Sequence, residues 1–383
     1  MKNERDLKIA IVHDFLVKIG GAEKVLLEIH KIFPDAPIYT LIYSESGTKR
    51  QFAGKDFDII PSALQKLPAI IRNRPKLLLA RFPQAIEEFD LSKFDIVISS
   101  SNSYAHGVIT KPKTLHVSYC YSPMRYIWDW HHQYLLENNI GYGFMSMQLR
   151  KVLSRIRIWD RAAADRVDTW IAISKTVQKR IKKYYKQDSN VIYSPVDIEK
   201  IKISEKKPEN FYLVVSRLSP YKKIDLAIEA FNKLGKKLII VGEGSDLDRL
   251  KSLAKENITF LGWQSDQTVS ELMSRAKALI FPGEEDFGLT PIESMAAGRP
   301  VIAYNKGGVT ETVVEGKTGL FFDDASPESL VDAVERFELS FDQFSPLDCR
   351  KQAENFSSSK FQKDFKQTII EEYEKYQIMM GKK

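Results

Sequence analysis

Short apolar runs alternate with amphipathic segments along most of the chain, and few folds accommodate such a pattern. The first apolar run, residues 9–13, precedes Gly20 and Gly21 and then residues 22–33, whose apolar side chains recur at helical spacing. Uninterrupted apolar runs are typical of parallel strands covered on both faces, and amphipathic segments are typical of the helices that cover them. We therefore predict an α/β fold with doubly wound parallel sheets. The other predicted strands are residues 95–99, 115–119, 169–174, 211–215, 238–241, 258–262, 278–281 and 301–303.

A polar segment divides this pattern into two halves. Residues 200–210 are rich in charged side chains and contain Pro208, and the pattern restarts at Phe211. A chain of 383 residues, 43% of them hydrophobic, is long enough to bury more than one core. The sequence thus predicts one domain over residues 1–205, a second over residues 206–360, and a helix over residues 361–383.

The composition argues against several classes of protein. Cys120 and Cys349 provide neither a disulfide framework nor the spacing of metal ligands, so we expect no metal site. The N-terminal segment does not fit a signal peptide, and no apolar run has the length of a membrane span, so we expect a cytoplasmic protein. The net charge of +7 admits a nucleic-acid-binding protein as an alternative. No recognition-helix, zinc or RNA-binding motif accompanies that charge, so we expect no nucleic acid partner.

Two carboxylates border one predicted strand-to-helix loop. Glu285 follows the apolar run at residues 278–281, and Glu293 lies in the predicted first turn of a helix, two residues after Pro291. Open α/β sheets bind ligands beside such loops, at the carboxyl ends of their strands, so both carboxylates are candidates for ligand contacts. Thr290 and Glu293 also have the spacing of a capping box, which is the alternative role for Glu293.

Two cations lie on a second strand-to-helix loop. Arg217 and Lys222 follow the predicted strand at residues 211–215. A diphosphate that is bound without a metal needs cations, and arginine supplies a bidentate fork whereas lysine supplies a point charge. These two residues therefore suit a diphosphate, although a solvated turn is the alternative explanation for Lys222 and Lys223.

Glycine turns follow two more of the predicted strands. Gly20 and Gly21 lead into a helix, where backbone N–H groups can approach an anion without a Cβ in the way, although a tight turn is the alternative. The turn Gly242-Glu243-Gly244 is suited to a phosphate or a nucleobase, but this motif alone is a weak signal.

These motifs resemble those of a known enzyme family. Residues 285–303, E-D-F-G-L-T-P-I-E-S-M-A-A-G-R-P-V-I-A, are similar to the E-x7-E donor-site signature of retaining glycosyltransferases of family 4, which have the GT-B fold. Residues 215–223, V-S-R-L-S-P-Y-K-K, resemble that family's G-R-L-x-x-x-K-G segment, with Ser216 and Lys223 in place of its glycines. Residues 98–101, 121–129 and 193–197 resemble bacterial O-antigen and exopolysaccharide mannosyltransferases that use GDP-mannose.

The resemblance implies a fold and a set of roles. It implies two Rossmann-like domains facing a cleft, the first on the acceptor side and the second binding the donor, with the C-terminal helix crossing back to the first. Arg217 and Lys222 would bind the diphosphate and stabilise the leaving group, and Glu285 would bind the donor sugar. These three are therefore the predicted catalytic residues. No enzymic nucleophile, cofactor or catalytic metal is expected. The predicted donor-binding residues are Gly20, Gly21, Gly242, Glu243, Phe287, Gly288, Leu289 and Glu293, the last of which would hold the ribose.

Histidines that many relatives carry near the transferred sugar are replaced in this chain. Tyr121 and Asn102 stand at two such positions, so no histidine role is carried over to them, although a phenol can still bond a sugar hydroxyl. His13 and His106 are polar groups expected near the cleft. The candidate contacts to the sugar or the acceptor are therefore His13, Asn102, His106, Tyr121 and Arg125.

Together these features predict an enzyme. We expect a retaining transferase that moves mannose from GDP-mannose to a lipid-linked glycan during cell-surface polysaccharide synthesis. The alternatives are a family 4 transferase that uses a UDP-sugar and a non-catalytic nucleotide-sugar-binding protein.

The basic segment, residues 59–86, interleaves cations with apolar side chains and contains no acid. This composition is typical of a contact with an anionic membrane surface, and a solvated face of an ordinary helix pair is the alternative. We therefore expect the protein at the inner face of the cell membrane. The cations are Lys66, Arg72, Arg74, Lys76 and Arg81.

Overall fold

Two parallel sheets form the framework of the protein. The computed structural model describes residues 7–48, 51, 52, 54, 57–72, 74–137, 140, 141, 143–203 and 207–381. The chain divides into two units. Unit 1 consists of Met1–Tyr193 and Gln362–Lys383, and unit 2 consists of Ser194–Phe361.

Unit 1 is built on a seven-stranded parallel sheet. Its strands are β1 (Ile9–His13), β2 (Ile38–Thr40), β3 (Ile59–Pro61), β4 (Ile96–Ser101), β5 (Leu115–Cys120), β6 (Thr169–Ala172) and β7 (Asn190–Val191). Its helices before residue 193 are α1 (Gly21–Ile32), α2 (Ala69–Arg72), α3 (Pro75–Leu78), α4 (Phe82–Glu87), α5 (His131–Glu137), α6 (Phe144–Ala164) and α7 (Lys175–Tyr184). The strand order is β3-β2-β1-β4-β5-β6-β7. Every residue of β4 and β5 is buried, as expected for inner strands of a parallel sheet.

Unit 2 is built on a six-stranded parallel sheet. Its strands are β8 (Tyr212–Val215), β9 (Leu238–Val241), β10 (Ile258–Gly262), β11 (Leu279–Phe281), β12 (Val301–Tyr304) and β13 (Gly319–Phe322). Its helices are α8 (Ile224–Leu234), α9 (Leu247–Leu253), α10 (Asp266–Arg275), α11 (Leu289–Ala296), α12 (Pro327–Leu339) and α13 (Pro346–Glu354), and α14 (Ser358–Met379) follows them. The strand order is β10-β9-β8-β11-β12-β13.

Both sheets reverse their strand order next to the first strand of the unit. The reversal lies between β1 and β4 in unit 1 and between β8 and β11 in unit 2. At such a point the loops on either side leave in opposite directions and open a crevice at the carboxyl edge of the sheet. The prediction of two doubly wound, Rossmann-like parallel sheets is confirmed.

The division between the units precedes the boundary that the sequence suggested. Residues 205 and 206, where we expected it, lie outside the described residues. The segment after residue 193 is instead held inside unit 2, where the N–H of Val196 donates to the carbonyl of Phe356 at 2.8 Å. Arg350 Nη1 also donates to the carbonyls of Ile198 and Ile201, at 3.0 and 2.7 Å. These bonds explain why residues 194–203 belong to the second unit.

The last helix, α14, attaches most of its length to unit 1. Gln362 Nε2 donates to Glu28 Oε2 at 2.7 Å, and Tyr376 donates its hydroxyl to the carbonyl of Pro112 at 2.7 Å. Phe365 is fully buried, and its ring lies 5.6 Å from that of Tyr119. The C-terminal segment is therefore part of the first core.

Candidate functional site

The loops that follow β8, β9, β11 and β12 are tied together at the carboxyl edge of the unit 2 sheet. The N–H of Leu218, after β8, donates to the carbonyl of Glu243, after β9, at 2.9 Å. The N–H of Gly308, after β12, donates to the carbonyl of Glu285, after β11, at 2.8 Å. Because backbone groups make these bonds, the positions of the loops do not depend on the flexible side chains that they present.

Two glycines allow these loops to approach each other. A Cβ atom at Gly242 would lie 1.8 Å from the carbonyl oxygen of Ser216, and one at Gly307 would lie 2.3 Å from that of Glu285. Both glycines also have positive φ, 135° and 79°. No other residue type accepts both conditions at low cost. The glycine turn after β9 therefore has a structural role in joining two loops, whether or not it also contacts a ligand.

Lys222 and Glu285 meet across two of these loops. The ammonium group of Lys222, after β8, forms an ion pair with the carboxylate of Glu285, after β11. The two side chains are only 12% and 24% exposed, so water screens their interaction less than that of a surface pair. The solvated-turn interpretation holds for Lys223, which is exposed, but not for Lys222.

Arg217 lies on the same loop as Lys222 and is accessible from solvent. Its side chain is exposed, and Nη2 donates to the hydroxyl of Tyr221 at 3.1 Å. Tyr221 also lies under the ammonium of Lys222, 5.1 Å from ring centroid to Nζ. The side chain of Tyr221 therefore contacts both cations.

Lys223 keeps a backbone conformation that favours glycine. Its φ and ψ angles are 55° and 37°, in the left-handed region, and it forms the N-cap of α8. A non-glycine residue in this region costs about 1 kcal/mol. The loop therefore keeps the conformation that the glycine of the resembled motif would allow, even though this chain has lysine at that position.

The helix that carries Glu293 begins earlier than we expected. α11 begins at Leu289, and its N-cap is Gly288, which has a φ of 86° and makes no side-chain capping bond. The capping-box interpretation of Thr290 and Glu293 is therefore wrong, because Glu293 lies beyond the first turn. The ring of Phe287 is buried against Phe356 at 5.8 Å, so its backbone is the part that remains for a ligand.

In unit 1, His13 is part of a chain of hydrogen bonds at the carboxyl edge of the sheet. His13 Nδ1 lies 3.0 Å from Ser100 Oγ, which lies 2.8 Å from the hydroxyl of Tyr121. That hydroxyl donates to the carbonyl of Ala22 at 3.0 Å. Burial raises the pKa of Tyr121 well above its usual value, so the phenol stays protonated. Since each hydroxyl has one proton to give, this direction of donation places a proton on Nδ1 of His13.

Glu23 completes this network on the helix side. Its Oε1 lies 3.7 Å from Nε2 of His13, and its Oε2 accepts the backbone N–H of Gly20 at 2.7 Å. Burial alone would raise the pKa of the Glu23 carboxyl, but the hydrogen bond and the charge of His13 outweigh it, so this pKa lies below its usual value. The glycine turn that we expected to face an anion thus already uses the N–H of Gly20.

Asp14 shapes the loop that carries Asn102. Its buried carboxylate accepts four backbone N–H groups at 2.6–3.1 Å, those of Asn102, Ser103, Tyr104 and Ala105. A carboxylate with this many donors fixes the loop after β4 against the end of β1. The side chain of Asn102 is left exposed at the carboxyl edge of the sheet.

His106 does not lie with His13. Side chains alternate between the two faces of a strand, and Ser100 contacts His13 whereas Ser101 contacts His106, whose Nδ1 lies 3.3 Å from its hydroxyl. His106 Nε2 also lies 3.3 Å from the buried carboxylate of Asp160. We therefore correct the prediction for His106: it belongs to a buried cluster on the opposite face of the sheet, with Trp159, Trp170 and Tyr185.

Arg125 lies in the loop after β5, near the carboxyl end of that strand. Its guanidinium group stacks on Trp130, 4.6 Å from the ring centroid, and its Nε lies 3.6 Å from Asp129 Oδ2. Arg180 of α7 reaches the same oxygen at 3.2 Å. Arg125 was a candidate contact in the sequence analysis, and the structure shows that Arg180 pairs with the same carboxylate.

Two absences concern only the part of the chain that the structure describes. Within it, no group of three or more His, Cys, Asp and Glu side chains is arranged to hold a metal ion. No helix in the same ranges combines the length and the apolar character of a membrane span.

The sequence reasoning missed Asp14, Glu23, Asp160 and Arg180. Asp14 directly follows the first predicted strand, so the rule that placed ligands at strand ends applied to it as well. Glu23 lies three residues after Gly20, which is the spacing of a capping residue. Asp160 and Arg180 lie in segments where the sequence analysis identified no motif, and no pattern distinguished them from solvated charges.

Two family models match the chain, one for each half. The model described as "Glycosyltransferase Family 4" matches residues 19–200, and the one described as "Glycosyl transferases group 1" matches residues 196–356. The chain is 27% identical over 392 residues to an alpha-1,3/1,6-mannosyltransferase ALG2 from Dictyostelium discoideum, an alignment that covers 83% of this chain and 87% of that protein.

Other curated relatives align over shorter stretches. The O-antigen chain mannosyltransferase RfbU of Salmonella typhimurium is 30% identical over 187 residues, 44% of this chain and 53% of that protein. A GDP-mannose-dependent alpha-(1-6)-phosphatidylinositol monomannoside mannosyltransferase of Mycobacterium tuberculosis is 33% identical over 147 residues, 34% of this chain and 38% of that protein. These alignments span about half of each relative or less.

The fold also matches solved structures. Anabaena Alr3699/HepE, solved in complex with UDP, superposes with a TM-score of 0.69 at 18% identity, covering 95% of this chain and 100% of that one. At this level of identity the match establishes the fold.

Proposed function

Because this chain belongs to the family 4 glycosyltransferases, which have the GT-B fold, we propose that it transfers mannose from GDP-mannose to a lipid-linked glycan in cell-surface polysaccharide synthesis. Mannose transfer is in the names of three relatives, and the mycobacterial relative's name adds GDP-mannose and phosphatidylinositol monomannoside. HepE, which was solved with UDP, supports the alternative of a UDP-sugar.

The observation that carries the proposal is the convergence of Arg217, Lys222 and Glu285 at one sheet edge. In this proposal the diphosphate of the donor binds to Arg217 and Lys222, and Glu285 accepts hydroxyl groups of the donor sugar. The ion pair between Lys222 and Glu285 supports this division of roles, because the residue proposed for the phosphate and the residue proposed for the sugar are in contact. A non-catalytic binding protein would not need the exposed guanidinium of Arg217 to stabilise a leaving group.

The proposed reaction retains the configuration of the sugar. The hydroxyl oxygen of the acceptor forms a bond to the anomeric carbon while the bond from that carbon to the diphosphate breaks. The departing diphosphate takes the acceptor's proton on the same face. Arg217 and Lys222 stabilise the negative charge that develops on the leaving group, which is the part of the barrier that fixed cations lower most. We propose that these two cations make a catalytic metal unnecessary.

A transfer assay tests the proposed function. The purified protein, in excess EDTA, is given a panel of nucleotide sugars and a lipid-linked glycan acceptor. We expect mannosyl transfer from GDP-mannose, with EDTA changing the rate less than twofold, since two cations occupy the place of a metal. Transfer only from a UDP-sugar would replace the proposed donor. Loss of activity in EDTA that Mg²⁺ or Mn²⁺ restores would contradict the metal-free mechanism.

The basic segment is the surface that we propose for membrane contact. Its cations Lys66, Arg74 and Arg81 are exposed. Among its apolar side chains, Ile70 and Leu77 are 70% and 64% exposed. The segment forms β3 and three short helices, α2 to α4, of which α4 buries Phe82, Ala85 and Ile86 in the core. Exposed cations beside exposed aliphatic groups suit an anionic lipid surface.

Not every cation of the segment is suited to that surface. Arg72 Nη1 donates to the carbonyl of Gln65 at 2.7 Å, so its guanidinium is used within the fold. The side chain of Lys76 lies outside the described part of the structure. Lys66, Arg74 and Arg81 are therefore the substitutions that test the contact most cleanly.

We expect the wild-type protein to co-sediment with anionic liposomes at low salt and to detach as the ionic strength rises. Each cation near an anionic surface contributes about 1 kcal/mol, so replacing Lys66, Arg74 and Arg81 by Gln should weaken binding on the order of 100-fold. The matched control replaces Lys93, Lys111 and Lys113 by Gln, which removes the same charge before β4 and β5. Equal sedimentation of the two triple variants, or no binding by the wild type, would show that the segment is a solvated surface and not a membrane contact.

A further inference from the structure

A cavity opens beside the basic segment of unit 1. One wall is a short 3₁₀ turn, Ala63–Lys66, and the other is α4 with the residues that flank its two ends. Its volume is about 350 Å³, within the range of about 300–1,000 Å³ for small-ligand sites. The roles proposed above do not use this cavity, although Arg81 also belongs to the cations of the membrane contact. The residues that line it are Ala63, Leu64, Arg81, Gln84, Ala85 and Glu88.

The lining carries two opposite charges at the two ends of α4. Arg81 directly precedes the helix and Glu88 directly follows it, and both side chains are exposed. Residues seven positions apart lie on one face of a helix, with their Cα atoms about 10 Å apart along the axis. In the described part of the structure, the guanidinium and the carboxylate do not pair with each other. A ligand that contacts both must therefore carry a negative and a positive group a short distance apart.

Arg81 selects the negative group of such a ligand. A planar guanidinium fork matches the oxygen atoms of a phosphate in a bidentate manner. No carboxylate among the described residues forms an ion pair with this guanidinium, so a phosphate would not have to displace one. Phosphate is therefore the anion that we expect at this end of the cavity.

Glu88 and Gln84 select the positive group. Gln84 Nε2 donates to Glu88 Oε1 at 2.9 Å, which leaves Gln84 Oε1 and Glu88 Oε2 as acceptors. A primary ammonium group donates three hydrogen bonds and can use both oxygens, whereas a quaternary ammonium has no N–H group to donate. The six lining residues also include no aromatic ring of the kind that recognises quaternary ammonium groups. The cavity is therefore suited to ethanolamine rather than to choline.

The place of the cavity indicates which molecule carries these two groups. Its lining extends from residue 63 to residue 88, so it coincides with the basic segment, whose exposed cations and aliphatic side chains form the proposed membrane contact. We propose that the cavity binds the phosphoethanolamine headgroup of a membrane lipid, with the phosphate on Arg81 and the ammonium on Glu88 and Gln84. This inference rests on the proposed membrane contact and deepens it by naming a class of lipid.

NMR titration with glycerophosphoethanolamine, the soluble headgroup of such a lipid, tests the site. We expect saturable binding by the wild type, and at least fivefold weaker binding of glycerophosphocholine, which has the same phosphate but no N–H donor. Arg81→Gln and Glu88→Gln should each weaken the binding of glycerophosphoethanolamine at least fivefold, because each removes one charged partner. Equal affinity for the two probes, or equal affinity in the wild type and both variants, would overturn the site.

The matched controls remove one charge of each sign from the neighbourhood of the cavity. Arg74→Gln removes an exposed cation of the basic segment, and Asp90→Asn removes an exposed carboxylate two residues after Glu88. Neither residue lines the cavity, so both controls should keep the wild-type affinity for glycerophosphoethanolamine. A loss in the controls as large as that in the lining variants would reduce the effect to general electrostatics and overturn the site.

Vesicles distinguish a lipid headgroup from a free solute. Co-sedimentation is compared for two kinds of vesicle with the same content of anionic phosphatidylglycerol, the rest being phosphatidylethanolamine in one and phosphatidylcholine in the other. We expect the wild type to bind the ethanolamine vesicles several-fold more tightly. Glu88→Gln should lose this preference and still bind both vesicles, because it keeps every cation of the segment. A preference that persisted in this variant would come from the packing of the bilayer and would overturn the site.

The possible failures are distinguishable from one another. Binding of glycerophosphoethanolamine in solution without a preference between the vesicles would overturn the assignment to a membrane lipid, and a soluble phosphoethanolamine would then be the ligand. A wild-type protein that binds neither kind of vesicle would overturn the proposed membrane contact itself. Thermal unfolding of each variant checks that the fold is intact, which we expect because Arg81 and Glu88 are exposed.

Discussion

Replacement of Glu285 by Ala is expected to lower kcat/KM for sugar transfer by about 100-fold or more. Hydrogen bonds from sugar hydroxyls to a charged carboxylate contribute about 1.5–3 kcal/mol, and this variant loses them. It also releases Lys222 from the ion pair that fixes its position, so a phosphate contact becomes less ordered. The two losses act on the same step, which makes this the largest single effect that we expect.

The fold should survive this substitution. The carbonyl of Glu285 accepts the N–H of Gly308, and this backbone bond does not depend on the side chain. The unpaired Lys222 is partly shielded, so we expect a loss of about 1–2 kcal/mol in the free energy of unfolding rather than unfolding itself. Circular dichroism and thermal unfolding measure this part of the prediction.

Glu284→Ala is the matched control, because it removes a carboxylate from the neighbouring position of the same loop. We expect this variant to keep transfer within a few-fold of the wild type. Near-normal turnover by Glu285→Ala, or an equal loss in both variants, would show that Glu285 has no specific role in the donor site.

The loops of unit 2 illustrate what sequence reasoning predicts well. Buried parallel strands are continuous apolar runs, so the strands and the loops that leave their carboxyl ends were visible in the sequence. Because those ends lie at one edge of a sheet, Arg217, Lys222 and Glu285 were expected together, and the structure places Lys222 against Glu285. The start of α11 was missed because Gly288, at positive φ, caps the helix instead of Thr290.

Unit 1 illustrates what the sequence does not reveal. The carboxylate of Asp14 accepts the backbone N–H of Asn102, 88 residues away. Arg180 of α7 forms an ion pair with Asp129 of the loop after β5. Such contacts depend on which strands become neighbours and on which face each side chain occupies. His106 shows the second point, since one position along β4 moves a contact from the face of His13 to the opposite face. Alternation of apolar runs carries no information about these choices.

Replacement of Arg217 by Ala is expected to weaken donor binding by about 10- to 100-fold, because a charged hydrogen bond to phosphate contributes about 1.5–3 kcal/mol. Arg217→Lys should not restore the affinity, since an ammonium group is a point charge without the bidentate fork. Arg217 is exposed, and its Nη2 donates to the hydroxyl of Tyr221 on the same loop, so neither variant should affect folding. The affinity for the acceptor should change less than twofold.

Calorimetric titration of GDP tests most directly whether the carboxyl edge of unit 2 holds a nucleoside diphosphate. The series consists of the wild type, Arg217→Ala, Arg217→Lys and the control Lys255→Ala, which removes an exposed cation before β10, at the opposite edge of the same sheet. We predict that the wild type and Lys255→Ala bind GDP equally and that both Arg217 variants bind it at least tenfold more weakly. Equal affinity in all four proteins, or no binding of GDP by the wild type, would contradict the account.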